Sequence, residues 1–499
     1  MNFLIFMVDQ MQSYSLGCNG NSQVKTPNLD KLAKEGVSFK RAYCPSPTCM
    51  PSRSSFITGL TAKQHGCITN GTNLPETVPT IPELLHQNGY RTYCGGKFHF
   101  QATANSDLVE FGDASTAESK KEWDSGQYTS LPSPYYGFYE TNYVGGHGFG
   151  NFGEYTTWLK ENHPGVFEKY TPNNPDKEDG TPSLSIDVPK EVHYNHWIAD
   201  KTMSFLDSVG EESFFAVCSF PDPHAPISAC RSYAELYPPE EMEITKSLED
   251  AVDSFPFLQK RREQFFHEKG NKSKAYIQEL VSQTYGMITH IDDNVGRVME
   301  KLSEKNLEKD TVICFVADHG EYLGCHNLLG KAEWLYEELV RVPFIVKVPN
   351  GIAKGATEQV VSTLDFAPTI LDLAGLSPYA LSVRNQGHAK PLPLPGQNLK
   401  GFLMENTPLE KEFAVVEFEE DWHPGENYRE RVIVTAQYKL AIFPEIGEGM
   451  LFDLQADPFE MQNLFNDATH QHIKHELMEK MLYYLVRNDR QDLPRPVAY

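Results

Sequence analysis

The sequence places a cysteine at the start of a predicted helix, where its sulfur could do chemistry. Cys49 lies just ahead of Pro51, which suits the first helical position, and Gly59 suits the residue just past the helix end. Unpaired helix N–H groups and the helix dipole favour an anion or a reactive sulfur at such a position. Arg53, one turn further on, adds a permanent positive charge. A lone buried thiol before an ordinary helix is the alternative.

Three further candidates follow predicted buried strands. Asp9 comes directly after the apolar run 2–8, and Asp318 and His319 follow the apolar run 311–316. Ligands of open α/β sheets bind at the carboxyl ends of the strands. Adjacent Asp and His residues at such an end suit a metal ion, so Asp9, Asp318 and His319 are candidate ligands. A helix or turn cap is the alternative for Asp9.

Basic residues also follow predicted strands. The strand at 90–94 leads to Lys97 and His99, which alternate on an extended chain and can therefore face one side. The strand at 214–219 leads to His224, which lies between prolines in a stiff loop. Taken alone, a surface lysine and a hydrogen-bonded histidine are the alternative for Lys97 and His99.

The scaffold that would position these residues is an α/β sheet. The strand segments 2–8, 214–219 and 311–316 are largely apolar, and the continuous run at 2–8 is typical of a central parallel strand covered on both faces. Helices are predicted between them at 26–36, 80–89, 276–304 and 365–375. From about residue 411, short alternating segments predict an antiparallel sheet, followed by a helix near 468–487. We place a boundary near residue 380, which gives a larger domain, 1–380, and a C-terminal α+β subdomain, 381–499.

Composition excludes several classes of partner. The 499 residues carry a net charge of −24, which disfavours nucleic acid and anionic membranes. No apolar run approaches the ~20 residues that span a bilayer, and no signal peptide is visible. Nine cysteines, an odd number without disulfide-like spacing, fit a reducing compartment. The sequence therefore predicts a cytoplasmic protein and leaves a homo-oligomer open.

Together the motifs resemble those of the type I sulfatases of the alkaline phosphatase superfamily. Cys49, Pro51, Ser52 and Arg53 match the family signature, and Thr58-Gly59 follows at the family's spacing. Other landmarks occur in the family's order along nearly the whole chain: Asp9, Gly96-Lys97-Phe98-His99, Pro223-His224-Ala225-Pro226, Asp318-His319-Gly320-Glu321, Gly330-Lys331, Leu451-Phe452-Asp453-Leu454 and Asp457-Pro458. The resemblance implies an alkaline-phosphatase-like α/β fold: a mixed, mostly parallel sheet flanked by helices, with a smaller C-terminal α+β domain carrying an antiparallel sheet.

The resemblance also implies two cofactors. In this family the cysteine is oxidised to Cα-formylglycine, so Cys49 would be the substrate of a formylglycine-generating or radical maturating enzyme. One divalent metal ion would be bound by Asp9, the oxidised Cys49, Asp318 and His319. Many sulfatases have a second aspartate where this chain has Gln10, whereas choline sulfatases and phosphonate monoester hydrolases share the Asp-Gln pair. The resemblance therefore leaves open whether Gln10 is a metal ligand. Ca²⁺ is expected, with Mg²⁺ or Mn²⁺ open.

Roles for the basic residues follow from the same resemblance. Arg53 would orient the hydrated aldehyde, and Lys97 and Lys331 would bind sulfate oxygens. His224, with Lys331, would protonate the leaving alcohol, and His99 would assist regeneration of the aldehyde. These five side chains would supply the local positive charge that an anionic substrate needs against the net charge of −24.

The implied function is hydrolysis of a sulfate ester, expected to be a small sulfated carbohydrate. A phosphonate monoester or phosphodiester hydrolase and a choline or aryl sulfatase are alternatives on the same scaffold. A non-catalytic binder of sulfated ligands with an unmodified Cys49 is an alternative of another class. Part of the pocket is expected within 101–190, where aromatic loops at 101–160, together with Trp334, could stack on a sugar. His290 is expected to be a packing residue.

Overall fold

The computed structural model describes residues 1–103, 116–170, 186, 188–249, 273–377, 394–423 and 426–489. Their larger sheet has nine strands: β1 Asn2–Val8, β2 Val37–Tyr43, β3 Arg91–Gly96, β4 Glu140–Gly145, β5 Phe152–Gly153, β6 Phe214–Phe220, β7 Thr311–Ala317, β8 Phe344–Lys347 and β9 Gly355–Ser362. The strand order is β5-β4-β3-β6-β1-β7-β8-β2-β9. Pairing is parallel except where β5 meets β4 and where β8 meets β7 and β2. The predicted mixed, mostly parallel sheet is confirmed.

Strand β1 lies near the middle of this sheet, between β6 and β7. Its even-numbered side chains, such as Leu4 and Phe6, join one hydrophobic core, and its odd-numbered ones, such as Phe3 and Ile5, join the core on the opposite face. Because successive side chains of a strand alternate between faces, a strand buried on both sides must be apolar throughout. This explains the continuous run in the sequence.

Helices cover both faces of the sheet. Among the described residues the α-helices are Pro27–Glu35, Cys49–Thr58, Ala62–His65, Ile81–Gln87, Lys120–Asp124, Glu154–Asn162, Pro164–Tyr170, Tyr194–Ser208, Arg231–Ala234, Lys274–Glu304, Glu337–Val340, Phe366–Leu373, Lys400–Glu405 and Gln471–Asn488. The four helices expected at 26–36, 80–89, 276–304 and 365–375 are all present. The Asp292 carboxylate accepts the backbone N–H groups of Asn28 and Leu29, so it caps the first helix from the long one. None of the described helices is long and apolar enough to cross a membrane.

The C-terminal part forms a second, antiparallel sheet, as predicted. Its strands pair in chain order: β10 Phe413–His423, β11 Glu426–Thr435, β12 Tyr438–Phe443 and β13 Glu448–Asp453. One face packs on the last helix, through Ile433 and Leu451 against Leu477 and Met481. The opposite face joins the main core.

The predicted domain boundary near 380 lies in 378–393, outside the described residues, so the division at 380 stays a prediction. Downstream of it, Leu399 and Leu403 are buried in the core of the larger sheet.

Candidate active site

The site forms where the carboxyl ends of four adjacent strands meet. Strands β3, β6, β1 and β7 are neighbours in the sheet, and Lys97, Asp9 and Asp318 lie immediately beyond three of them. Backbone hydrogen bonds continue past the strands: Lys97 N donates to Ser219 O at 3.0 Å, and Asp318 N donates to Val8 O at 3.2 Å. Because these strands are neighbours in the sheet, Lys97, Asp9 and Asp318 lie close together at its carboxyl edge.

Cys49 opens the helix Cys49–Thr58, and its sulfur lies at the centre of the site. The helix begins two residues earlier than predicted: the extended Thr48 is the N-cap and Pro51 is the third helical residue. The predicted end is confirmed, with Gly59 in the left-handed conformation at φ 70°. Cys49 Sγ is 2.8 Å from Lys331 Nζ, 3.1 Å from His319 Nε2 and 3.7 Å from Asp9 Oδ1.

This environment favours the thiolate of Cys49. Burial and the nearby Asp9 carboxylate both raise the pKa of the thiol, but the charges of Lys331, Lys97 and His319 outweigh them and hold it well below its usual value. Cys49 is only 1% exposed. The predicted activated sulfur therefore results from side-chain cations as well as from the helix start.

The predicted metal ligands lie together. One ligand atom from each of Asp9, Cys49, Asp318 and His319 lies within 4.8 Å of the others, and all four residues are buried. Gln10 Oε1 is buried without a hydrogen-bond partner in the described structure, while its Nε2 donates to the Glu321 carboxylate. Two carboxylates, one imidazole and an unpartnered amide oxygen fit a divalent cation with mainly oxygen ligands.

Arg53 neutralises the two buried carboxylates. Its Nε donates to Asp318 Oδ2 at 2.7 Å, and its second amino group lies 3.6 Å from Asp9 Oδ2. Another guanidinium nitrogen donates to Lys97 O at 3.0 Å and to Ser219 Oγ at 2.9 Å. Although burial alone lowers its pKa, Asp318 and Asp9 raise it, so the buried Arg53 stays charged. Arg53 thus holds the ends of β3, β6 and β7 in register around the site.

Lys331 connects the Cys49 sulfur to two histidines. Its Nζ lies 3.1 Å from His319 Nε2 and 3.4 Å from His224 Nε2. His224 Nδ1 donates to the Ala225 carbonyl at 2.6 Å, which leaves Nε2 facing Lys331. Burial lowers the pKa of Lys331, but the Cys49 thiolate and the Asp9 carboxylate raise it by more, so the ammonium is retained.

His147 is a site residue that sequence reasoning did not name. Its Nε2 lies 2.6 Å from Lys97 Nζ and 3.5 Å from Asp9 Oδ2, and its ring stacks on His224 with centroids 3.8 Å apart. Lys97 also contacts the Asp9 carboxylate directly. His147 lies in the segment 101–190 where pocket residues were expected; positions 104–115, 171–185 and 187 of it lie outside the described residues. The glycines on either side of this histidine, just past β4, are the signal that could have identified it.

His99 lies beside this site as a neutral group. Its backbone N–H donates to Glu118 Oε2 at 2.7 Å, and its Nδ1 is buried without a hydrogen-bond partner in the described structure. Burial, and then the Lys97 charge, lower the pKa of His99 to about 4. The expectation that five side chains carry positive charge is therefore wrong for His99, which contributes a neutral nitrogen near pH 7.

The predicted aromatic sugar platform is wrong for Trp334, which is 2% exposed and so offers no open ring face. Aromatic residues of the 101–160 segment instead pack edge-on around Phe98: Tyr135, Phe138 and Tyr143. These contacts fix the backbone between Lys97 and His99.

Comparisons with known proteins cover nearly the whole chain. The sulfatase family model matches residues 1–376, and the model described as N-sulphoglucosamine sulphohydrolase, C-terminal, matches residues 324–487. The arylsulfatase of Clostridium perfringens is 28% identical over 482 residues, covering 93% of this chain and 90% of that protein. The N-acetylglucosamine-6-O-sulfatase of Bacteroides thetaiotaomicron is 25% identical over 523 residues, covering 96% and 85%. The phosphonate monoester hydrolase of Agrobacterium radiobacter shares the fold, with a TM-score of 0.78 at 24% identity over 98% of this chain and 96% of that chain.

Proposed function

The chain belongs to the sulfatase family, and we propose that it hydrolyses the sulfate ester of a small carbohydrate by means of a formylglycine formed from Cys49. The observation that carries this proposal is the set of contacts around the Cys49 sulfur, with Lys331 at 2.8 Å and His319 at 3.1 Å. A structural cysteine has no need of a buried ammonium group at hydrogen-bond distance. An anionic ester whose charge shifts during cleavage does need one.

The residues at the end of β1 and β7 would hold the metal ion. Asp9, Asp318 and His319 would bind it together with the oxidised side chain of Cys49, and the unpartnered Gln10 Oε1 supports an additional oxygen ligand. This set favours Ca²⁺, with Mg²⁺ or Mn²⁺ as the alternatives. When bound, the metal supplies Lewis-acid charge and the formylglycine supplies the nucleophilic oxygen.

Lys97 and Lys331 would bind the sulfate group, and Arg53 would orient the hydrated aldehyde. Lys331 Nζ lies 2.8 Å from the Cys49 sulfur and Lys97 Nζ contacts the Asp9 carboxylate, and both would donate to sulfate oxygens. Hydrogen bonds to Asp318 and Ser219 hold the Arg53 guanidinium in place, so its positive charge would stay fixed beside the hydrated aldehyde. These charges offset the repulsion that the net charge of −24 exerts on an anionic substrate.

Proton transfer would use two histidines near the sulfur, His224 and His99. The contact of 3.4 Å between Lys331 Nζ and His224 Nε2 supports a shared proton that reaches the leaving alcohol. His99, which is neutral because burial lowers its pKa to about 4, would accept a proton when the aldehyde is restored. His147 would hold His224 and Lys97 in place by stacking and hydrogen bonding.

Maturation would have to precede folding. Cys49 is 1% exposed and lies inside a helix that is buried along its length. A formylglycine-generating or radical maturating enzyme therefore would act on the unfolded or nascent chain.

The carbohydrate substrate is supported by a relative, since the N-acetylglucosamine-6-O-sulfatase covers nearly the whole chain. The arylsulfatase supports the aryl sulfate alternative. The Asp9-Gln10 pair and the shared fold of the phosphonate monoester hydrolase support the phosphodiester alternative.

A side-by-side rate comparison tests the proposal. Matured enzyme would be assayed with N-acetylglucosamine-6-sulfate and related sulfated monosaccharides, with an aryl sulfate and with an aryl phosphodiester. We expect the highest kcat/KM for a sulfated sugar. A much higher value for the phosphodiester, or turnover of aryl sulfates without any sulfated sugar, would contradict the proposed substrate.

A further inference from the structure

A second group of side chains that could bind a metal ion includes Cys230, which follows the loop that carries His224. His193, Cys230 and His290 each offer one ligand atom within 4.8 Å of the other two. All three are buried, at 3%, 2% and 2% exposure. They come from separate segments: His193 is the N-cap of the helix Tyr194–Ser208, Cys230 is the N-cap of a short helix, and His290 lies within the long helix.

We propose that His193, Cys230 and His290 bind a Zn²⁺ ion that cross-links these three segments. One thiolate and two imidazoles are the ligand types that zinc prefers over the hard cations of the active site. A tetrahedral site with zinc bonds of 2.0–2.3 Å has ligand separations of about 3.3 to 3.6 Å. From separations of at most 4.8 Å, the three atoms need to approach one another by no more than about 1.5 Å to reach it.

The hydrogen bonding of the two histidines supports a metal. His290 Nε2 is buried without a hydrogen-bond partner in the described structure, which is costly unless another group satisfies it. His193 Nδ1 accepts only the Asn195 backbone N–H, at a long 3.2 Å. An ion would therefore replace few of the existing contacts of the protein.

The protonation states of the two histidines agree with this geometry, whereas burial raises the pKa of the Cys230 thiol to about 12, so zinc would have to displace its proton. Burial lowers the pKa of His193 to about 3, and burial with neighbouring positive groups holds the pKa of His290 well below its usual value. Both imidazoles are therefore neutral, as metal ligands must be. Tyr233 stacks on His290 with centroids 4.7 Å apart and donates to Asp293 at 2.7 Å, which fixes the imidazole orientation.

The ion would support the active site without taking part in the reaction. Asn195, two residues after His193, donates from Nδ2 to Asp222 Oδ2 at 2.8 Å, and Tyr194 also donates to this carboxylate. The Asp222 carbonyl in turn accepts the Asp9 N–H at 3.2 Å. Zinc at His193 would hold this segment, and with it the loop from Asp222 to His224.

Metal analysis of the full chain tests the proposal. Protein would be loaded with Ca²⁺ at the active site, incubated with a small excess of Zn²⁺, freed of unbound ions and analysed for zinc. We expect one zinc per chain, lost in Cys230→Ser and in His290→Gln but retained in Cys49→Ser. Cys218→Ser, which removes a buried cysteine outside the cluster, is the matched control and should retain zinc.

Cobalt provides a second readout. Co²⁺ bound to a cysteine thiolate shows a near-ultraviolet charge-transfer band, which we expect in Cys49→Ser and not in the Cys49→Ser/Cys230→Ser double variant. Wild-type protein that binds no zinc would overturn the proposal, whatever the stability of the variants. So would equal zinc content in wild type, Cys230→Ser and His290→Gln.

Discussion

Replacing His224 by alanine should slow the cleavage of sugar sulfates far more than the cleavage of activated aryl sulfates. His224 Nε2 lies 3.4 Å from Lys331 Nζ, which itself lies 2.8 Å from the Cys49 sulfur where the ester must react. A sugar alcohol is a poor leaving group and needs a proton as its bond to sulfur breaks, whereas para-nitrophenolate leaves without one. The difference between the two losses therefore measures proton donation.

General acid catalysis contributes about 10²- to 10⁴-fold, or about 3 to 5.5 kcal/mol of barrier height. We expect His224→Ala to lower kcat/KM by that factor for N-acetylglucosamine-6-sulfate, and by less than about tenfold for para-nitrophenyl sulfate. Initial rates of both substrates would be measured on the same matured preparation. His472→Ala, which removes an exposed histidine of the last helix, is the matched control and should change neither rate.

Equal losses on the two substrates would refute the reasoning. His224 also stacks on His147, and a variant that only displaced this ring would slow both reactions alike. A larger loss on the aryl sulfate would contradict a role in leaving-group protonation altogether.

Three further predictions concern stability, pH and metal. Gly59→Ala should lower the free energy of unfolding by about 2 kcal/mol or more, because Gly59 has φ 70° and an added Cβ would lie 2.5 Å from Ala367 Cβ. The control is Gly71→Ala, at a glycine with φ 91° whose added Cβ would meet open space. Urea titration of both variants should show the larger loss for Gly59→Ala. Burial lowers the pKa of His65 in the folded protein to about 3. As pH falls below about 6.5, this histidine is protonated in the unfolded chain but not in the folded protein, so the free energy of unfolding decreases. His65→Gln should remove about 2 kcal/mol of the loss between pH 7 and 5, and an unchanged pH dependence would contradict this. Depleting divalent metal with a chelator should abolish sulfate release and Ca²⁺ should restore it, whereas full activity of metal-free enzyme would exclude the proposed ligand role of Asp9.

Asp9 and Asp318 could be predicted from the sequence because each follows a largely apolar run. Such runs are required by strands that are buried on both faces, as Phe3 and Leu4 show in β1. Parallel strands end at one edge, so Asp9 and Asp318 had to lie near each other once β1 and β7 were neighbours. The resemblance to sulfatases added the distant residue Lys331, which no periodicity indicates.

Other features depend on contacts that a single sequence does not reveal. Strand β8 runs antiparallel between β7 and β2, and its position is decided by pairing over hundreds of residues. The neutrality of His99 results from burial, and the role of His147 from stacking on His224, and both are consequences of tertiary packing. The start of the Cys49 helix differs from the prediction because the extended Thr48 is the N-cap, which makes Pro51 the third helical residue and not the first.

The chemical state of Cys49 tests the central proposal most directly. Protein made together with a formylglycine-generating or radical maturating enzyme would be digested, and the mass of the peptide containing Cys49 would be measured, with the Cys49→Ala peptide as reference. We predict the mass of an aldehyde in place of the thiol, in proportion to the sulfatase activity of each preparation. An unmodified thiol in protein made with an active maturating enzyme would contradict the formylglycine mechanism and favour a non-catalytic binder of sulfated ligands.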